Sequence, residues 1–492
     1  MRISGWFGVV FLAAAGGCMP DVDGVGWLLG AREQLPETTA GLELLARIAH
    51  ITDTHVLDEE SPARFAGAHA LTPTAWRPYE ACSAQLLDGV IRTINRIHAD
   101  GREIDLLIHT GDACDNAQGN ELEWFLTVLA GGLLDPRSGS DDRAADARPE
   151  PALDPHTPFV AQGLYRSGLH GDQRSIPWYT VLGNHDVFAI GVFPIHEGPD
   201  GHRTAALPLD CRPGLLLPVR FDPVAAMAYG NVTPAEPGPP PLLTQPRVVV
   251  PNAARAYFSK DEFIAAMFTT AGGPPGHGFA HAGGTSWYSV SPAPGLRLIG
   301  LDTTDFAFVT PGLFYVEGAV SFRQAEFLRG ALAAAEAADE LVIVASHHSS
   351  ASVPPGFGVD VDGAGLRALL SEYSNVVLHL AGHRHINRVV DRGGYLEIET
   401  CATLDAPQEG RLIEIWRDVT DGRILIGYEM FGHLDDELPP LGDDPLRGLR
   451  TAAHALAQGG KAAAARQQGR AGEAAIPPEQ PTDRQGWFIC RP

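Results

Sequence analysis

The chain has 492 residues, 45% of them hydrophobic and 20% charged, an ordinary globular composition with room for one large elaborated domain or two. Its formal net charge of −24 works against non-specific binding to nucleic acid or to anionic membranes, so no nucleic-acid polymer is expected as a partner. An anionic small substrate stays open, because bound cations invert charge locally.

The N-terminus reads MRISGWFGVVFLAAAGGCMP, with Arg2 ahead of an apolar run from Gly5 to Gly17. That run is short for a membrane span and fits a secretory signal over residues 1–18, which places the chain in the cell envelope. Ala15-Gly16-Gly17-Cys18 resembles a bacterial lipobox, whose cysteine carries a lipid. The leucine usual three residues before that cysteine is missing, so export with and without a lipid anchor through Cys18 both stand. Cys82, Cys114, Cys211, Cys401 and Cys490 are irregularly spaced with no C-x-x-C, which argues against a thiolate zinc site. One or two disulfides are open; free buried thiols are the plainer reading for Cys114 and Cys401.

A polar connector over 19–42 leads to a first strand ending at Asp53. Residues 77–100 carry Leu86, Val90, Ile91, Ile94 and Ile97 at helical spacing. A strand to Gly111 and a helix over 118–134 follow, giving a β-α-β-α order and an α/β sandwich. Residues 135–175 read as a surface insertion, and 187–284, rich in Pro and Gly, as a lid with a helix only over 260–270. TSWYSVS and LRLIGLDTT resume the sheet, a helix over 322–335 turns Phe327, Leu328 and Leu332 inward, and strands run to Ser346 and Ala381. YLEIETCA, GRLIEIWRD and GRILIGYEMF read as antiparallel strands covering the second half. The main domain thus spans 43–432, and 433–492 is an extension with a helix near 449–468 and a Pro-rich tail.

Five runs of hard-ligand residues punctuate this order: Asp53-Thr54-His55, Gly111-Asp112-Ala113-Cys114-Asp115, Gly183-Asn184-His185-Asp186, His347-His348 and Gly382-His383-Arg384-His385. Each follows a strand-like apolar run (ELLARIAHIT, IDLLIHT, IPWYTVL, ELVIVAS, NVVLHLA), so carboxylate, amide and imidazole groups emerge from strand ends, where α/β proteins build sites. Two divalent ions about 3.5–4 Å apart need a bridging carboxylate, oxygen ligands and neutral imidazoles, and these runs hold that set without a thiolate. His50, His109 and His379 lie inside strands and read as core residues, and Asp302 as a strand cap.

With D-x-H, G-D-x-x-D, G-N-H-D, a strand-terminal His and G-H-x-H in order, the chain resembles the calcineurin-like metallophosphoesterases over roughly Ile48 to Leu412. The resemblance implies a four-layer α-β-β-α sandwich with long loop insertions, and hydrolysis of phosphate esters by a metal-activated hydroxide. It implies that Asp53, His55 and His385 hold one metal, that Asp112 bridges, and that Asn184, His347 and His383 hold the other. His185 would stabilise the phosphoryl oxygen or protonate the leaving group, a role suited to an imidazole titrating near neutrality. Asp186 would orient His185 or a ligand.

The fourth motif is ambiguous by one residue: with His347 as the ligand His348 is expected at the pocket rim or facing away into solvent, and Arg384 in solvent or on a distal phosphate. Asn116, near a helix start, is read either as an N-cap or as a contact to substrate phosphate. Asp115 stands where purple acid phosphatases carry tyrosine, so a divalent pair (Mn, Fe or Zn) is expected instead of an iron-phenolate centre. Asp115-Asn116-Ala117 also departs from the arginine-bearing second motif of cytoplasmic protein phosphatases. A small phosphodiester is the favoured substrate; a phosphomonoester, or a non-catalytic envelope lipoprotein that uses the fold for binding, are the alternatives.

Overall fold

A computed structural model describes residues 41–63, 76–139, 154–165, 175–206, 220–224, 227–228, 247–309, 315–356, 358–435, 445–467 and 479–490. The leader, Cys18 and most of the 19–42 connector lie outside these. The chain runs β1 (Leu42–Ile51), α1 (Ser83–Ala99), β2 (Leu106–His109), α2 (Gly119–Ala130) and β3 (Trp178–Thr180). After α3 (Lys260–Ala266) come β4 (Tyr288–Ala293), β5 (Leu296–Gly300), α4 (Phe322–Ala337), β6 (Leu341–Ala345), α5 (Gly363–Ser371), β7 (Val376–Ala381), β8 (Arg388–Asp391) and β9 (Leu396–Glu399). It closes with β10 (Glu409–Asp418), β11 (Ile424–Gly432), α6 (Pro445–Gln467) and β12 (Gly486–Cys490).

These strands form two six-stranded sheets, ordered β12-β11-β10-β1-β2-β3 and β4-β5-β6-β7-β9-β8. The centres are parallel: β1, β2 and β3 in the first, and β5, β6, β7 and β9 in the second. Period-two alternation sorts the second sheet's side chains into two cores. Leu298, Ile343, Ala345, Leu378 and Leu380 join the large cluster that holds Ile48, Leu107 and Ile108 of the first sheet. Their neighbours Ile299, Val342, Val344 and Val376 instead meet Leu328 and Leu332 of α4 and Leu366 and Leu370 of α5. On the first sheet's side Val90, Ile91 and Ile94 of α1 and Phe125 of α2 join the large cluster. The result is the four-layer α-β-β-α sandwich.

The structure corrects several expectations. GRLIEIWRD and GRILIGYEMF do not cover the second half: β10 pairs with β1 in the first sheet, Ile48 opposite Ile413, and β11 pairs with β10. An unpaired β1 edge would leave a row of buried backbone groups unsatisfied, and β10 supplies the partner. The C-terminal extension, expected as a helix and a tail, also carries a strand: β12 adds to β11, while α6 sets Leu449 and Ala453 against Leu86 and Tyr79. The second half of the 187–284 insertion is not a lid. Tyr257, Phe258 and Phe263 join the main core, His277 stacks on Trp178 at 3.4 Å, and buried Arg255 pairs with Asp58 at 2.7 Å. Cys82, Cys114 and Cys401 are buried, the last two as free thiols.

Candidate metal centre

Each ligand-rich run leaves the C-terminal end of a parallel strand: β1, β2, β3, β6 and β7. Non-glycine residues with positive φ among the described residues include Asp53 (50°), His55 (42°), Asp112 (56°), His383 (71°) and His385 (53°). Such conformations cost about 1–3 kcal/mol each and persist only where surrounding contacts over-determine them. Here Asp53 N–H donates to Gly111 O and His55 N–H to Asp112 O, both at 3.0 Å, and His383 N–H donates to the Asp53 carboxylate at 2.9 Å. Gly183 must lack a side chain, because a Cβ there would lie 2.1 Å from Asp112 Oδ1.

Asp53, His55 and His385 form one group of potential ligands; Asp53, Asp112 and His347 form another. His55 Nε2 and His385 Nε2 face each other at 3.1 Å. The other nitrogen of each ring lies on a carboxylate: His55 Nδ1 is 2.9 Å from Asp115 Oδ1, and His385 Nδ1 donates to Asp405 Oδ2 at 2.7 Å. The His55 contact is too poorly aligned for a regular hydrogen bond, yet a carboxylate only accepts, so the proton belongs on Nδ1. Two bare Nε2 lone pairs therefore converge, with Asp53 Oδ1 3.2 Å from His385 Nε2. That arrangement fits a cation.

The second group repeats the pattern. His347 Nδ1 donates to Thr110 O at 2.8 Å, which turns its Nε2 lone pair toward Asn184 Oδ1 at 2.9 Å and Asp112 Oδ2 at 3.2 Å. Asn184 Nδ2 donates to Gly191 O at 2.9 Å, fixing the amide with its oxygen inward. Asp112 Oδ2 is also 3.7 Å from His55 Nε2, so this carboxylate stands between the groups, where a bridging ligand belongs. His383 sets its ring edge-on to His347, 5.2 Å between centroids at 73°.

Burial works against charge on these imidazoles, but the carboxylates prevail. Asp115 and Asp53 raise His55 to about 9; Asp112 and Asp53 raise His347 to about 9; Asp53 and Asp405 raise His385 to about 10. The field of the site thus draws positive charge, and donor set and field both fit two divalent ions.

His185 lies beside both groups, its backbone N–H on Asp112 Oδ1 at 2.8 Å and its Nδ1 donating to Asp115 O at 2.7 Å. Its Nε2 is left as an acceptor, with 14% of the side chain exposed. Burial, with His55 adding to it, pushes His185 down to about 4, below the near-neutral value expected from sequence.

Asp186 accepts from the backbone N–H groups of Asp112 (2.9 Å), Cys114 (3.0 Å) and Gly183 (2.9 Å), so it clamps two ligand loops together. His348 faces neither rim nor solvent: it is fully buried, with Nδ1 on Thr303 Oγ1 at 2.8 Å and Nε2 donating to Val316 O at 3.0 Å. Arg384 is likewise not solvated, being 15% exposed and 3.9 Å from Glu399. Asn116 is buried, its amide donating to Glu121 at 2.7 Å, and Gln118 rather than Asn116 holds the N-cap position of α2. His50, His109 and His379 sit in the core on Thr110, Thr180 and Ser346. Asp302 binds Lys260 of α3 at 2.6 Å and tethers the insertion.

Sequence reasoning missed the support around His385. Asp405 also accepts from Arg77 at 2.6 and 3.0 Å and from Tyr79 OH at 2.7 Å, and Arg77 reaches Asp115 at 3.4 Å. It also missed Glu317, 3.9 Å from His383 Nε2, whose carboxyl burial pushes up to about 7 while Arg384 works the other way.

The family model for calcineurin-like phosphoesterases matches residues 46–238, which carry the first three ligand runs. A comparison with curated proteins finds no match. Similar solved structures include a dimetal phosphatase from Danio rerio, 13% identical, covering 80% of this chain and 97% of that one with a TM-score of 0.41. A sulfate thiohydrolase from Thermus thermophilus is 12% identical, covering 87% of this chain and 62% of that one at 0.33. A 5′-nucleotidase from Candida albicans is 12% identical, covering 84% and 58% at 0.29. The chain thus spans less than two thirds of the length of the latter two. Over residues 46–238, then, the chain is similar to the calcineurin-like phosphoesterases.

Proposed function

We propose that the chain hydrolyses small phosphate esters, with a phosphodiester favoured over a monoester, at a pair of divalent ions (Mn, Fe or Zn). The observation that carries this reading is the convergence of lone pairs from His55, His385, His347 and Asn184 on the two sides of Asp112. Two bound cations supply an activated nucleophile and neutralise phosphoryl oxygens. The protein's share is positional. Asp53, His55 and His385 would hold one ion, Asn184, His347 and His383 the other, and Asp112 would touch both. His185 Nε2, on the open side, would bond a phosphoryl or leaving oxygen, with Asp115 O holding its Nδ1–H.

Asp115 supports divalent metals over an iron-phenolate pair, because it lies on His55 in place of a tyrosine ligand. The intact donor set argues against a module that only binds, since nothing in binding alone would maintain it. Export, with or without a lipid at Cys18, is proposed from the leader's composition. The test is turnover of bis-p-nitrophenyl phosphate against p-nitrophenyl phosphate after loading with each metal. Hydrolysis of both with the diester faster is expected; faster monoester turnover sinks the diester preference, and no hydrolysis of either sinks the reading.

A further inference from the structure

One acidic side chain stands at the mouth of the centre without a place in the ligand set. Glu317 Oε2 lies 3.9 Å from His383 Nε2, and 44% of its side chain is exposed against 10% for His383. Its backbone is held from several sides. Tyr315 N–H donates to Val192 O at 3.1 Å, Gly318 N–H to Ser352 O at 2.7 Å, and Ala319 N–H to Thr303 O at 2.8 Å. His348 Nε2 donates to Val316 O at 3.0 Å, tying the same segment to the His347-His348 run. The carboxylate therefore rises from an anchored segment beside His383 and not from the tip of a loose loop.

Among side chains, the positive charge that acts on it is that of Arg384. Arg384 is already opposed by buried Glu399, whose carboxylate also takes Ser349 Oγ–H at 2.7 Å. The same segment carries exposed Val316, and Tyr315 packs on Phe306 and Phe188 at 4.8 and 5.4 Å between ring centroids. Phe188 N–H in turn donates to the backbone oxygen of Asn184 at 2.8 Å, so this aromatic trio adjoins a ligand run. A phosphoryl group arriving on the His383 side meets the Glu317 carboxylate and the exposed Val316 side chain. A dianionic monoester suffers twice the repulsion of a monoanionic diester, whose second substituent is a neutral organic group.

We propose that Glu317 is a specificity-determining residue that disfavours dianionic phosphomonoesters and inorganic phosphate relative to monoanionic diesters. The proposal rests on the phosphate-ester reading above and supplies a physical cause for its diester preference. The test compares wild type, Glu317→Gln and Glu317→Asp, each metal-loaded, at about pH 8.5, where carboxyl and monoester are both ionised. The expected result is a roughly tenfold rise in the monoester-to-diester ratio of kcat/KM in Glu317→Gln, with the wild-type ratio kept in Glu317→Asp. Inorganic phosphate, titrated calorimetrically, should bind Glu317→Gln tighter by a similar factor.

An unchanged ratio together with unchanged phosphate affinity overturns the proposal. So does a fall in bound metal in Glu317→Gln, which would make the residue a ligand. Phosphate binding needs no turnover. Wild type that binds phosphate yet hydrolyses neither ester defeats the phosphate-ester reading, while the calorimetry still decides the role of Glu317.

Discussion

His55 and His385 present their Nε2 atoms to each other at 3.1 Å while Asp115 and Asp405 hold the opposite nitrogens. Neither ring can satisfy the other in that tautomer, so the pair is arranged around a positive charge. Protons fill that role, as the raised values of both rings state. Divalent ions would displace them, so metal binding should release protons and weaken as pH falls.

Asp405 is the positioning residue this arrangement depends on. Asp405→Asn should lower metal affinity by about 10–100-fold, the usual effect of losing the carboxylate behind a ligating imidazole. A competition titration against a chelator of known affinity reads this directly, and a change below about twofold would show that Arg77 and Tyr79 leave Asp405 no such role.

His185 should separate binding from chemistry. With its ring beside both ligand groups but held by Asp115 O, His185→Asn is expected to keep the metals and lose about 10²–10⁴ in kcat, the range for a general acid or base. Metal content measured on the same sample decides: loss of both together would make His185 a ligand.

Gly183 tests how tightly the loops are built. A Cβ there would lie 2.4 Å from Asp112 N and 2.1 Å from Asp112 Oδ1, so Gly183→Ala must displace the central carboxylate. Destabilisation of about 1–3 kcal/mol is expected from overpacking, together with weaker metal binding. A variant with wild-type unfolding midpoint and metal content would contradict the packing described here.

Acid should destabilise the fold through buried histidines outside the proposed ligand set. Burial lowers His433 to about 3, with Arg450 and His454 adding to it, and lowers His50 and His109 to about 3. In the unfolded chain each titrates near 6.5, so as pH falls the unfolded state takes up protons first. Their contribution is full above about pH 6.5 and is lost progressively toward pH 3. Thermal unfolding followed from pH 7.5 to 4 should show a falling Tm, less steep in His433→Gln; equal slopes would remove His433 from the account.

Much of this centre was legible because its ligands follow strands within a few residues, so apolar runs and hard-ligand residues alternate visibly along the chain. Asp53, Asp112, Asn184, His347 and His385 could be placed together on that basis. Asp405 and Arg77 could not: Asp405 reaches His385 and Arg77 backs Asp405 from separate loops, and neither residue type nor spacing marks them. His348 was misjudged because adjacency to a ligand says nothing of burial, and Thr303 and Val316, which enclose it, come from a distant segment. The position of β10 was equally hidden, since an alternating strand does not announce which sheet it joins, and only the open edge of β1 decides it.

The most direct test of the central claim is metal analysis of the purified chain alongside Asp112→Ala, with ester hydrolysis measured on the same samples. If Asp112 stands between two cation sites, wild type should carry about two divalent ions per chain when loaded. Asp112→Ala should lose metal and hydrolysis together. Wild type that binds no divalent ion, or an Asp112→Ala variant that hydrolyses esters at the wild-type rate, would contradict the account.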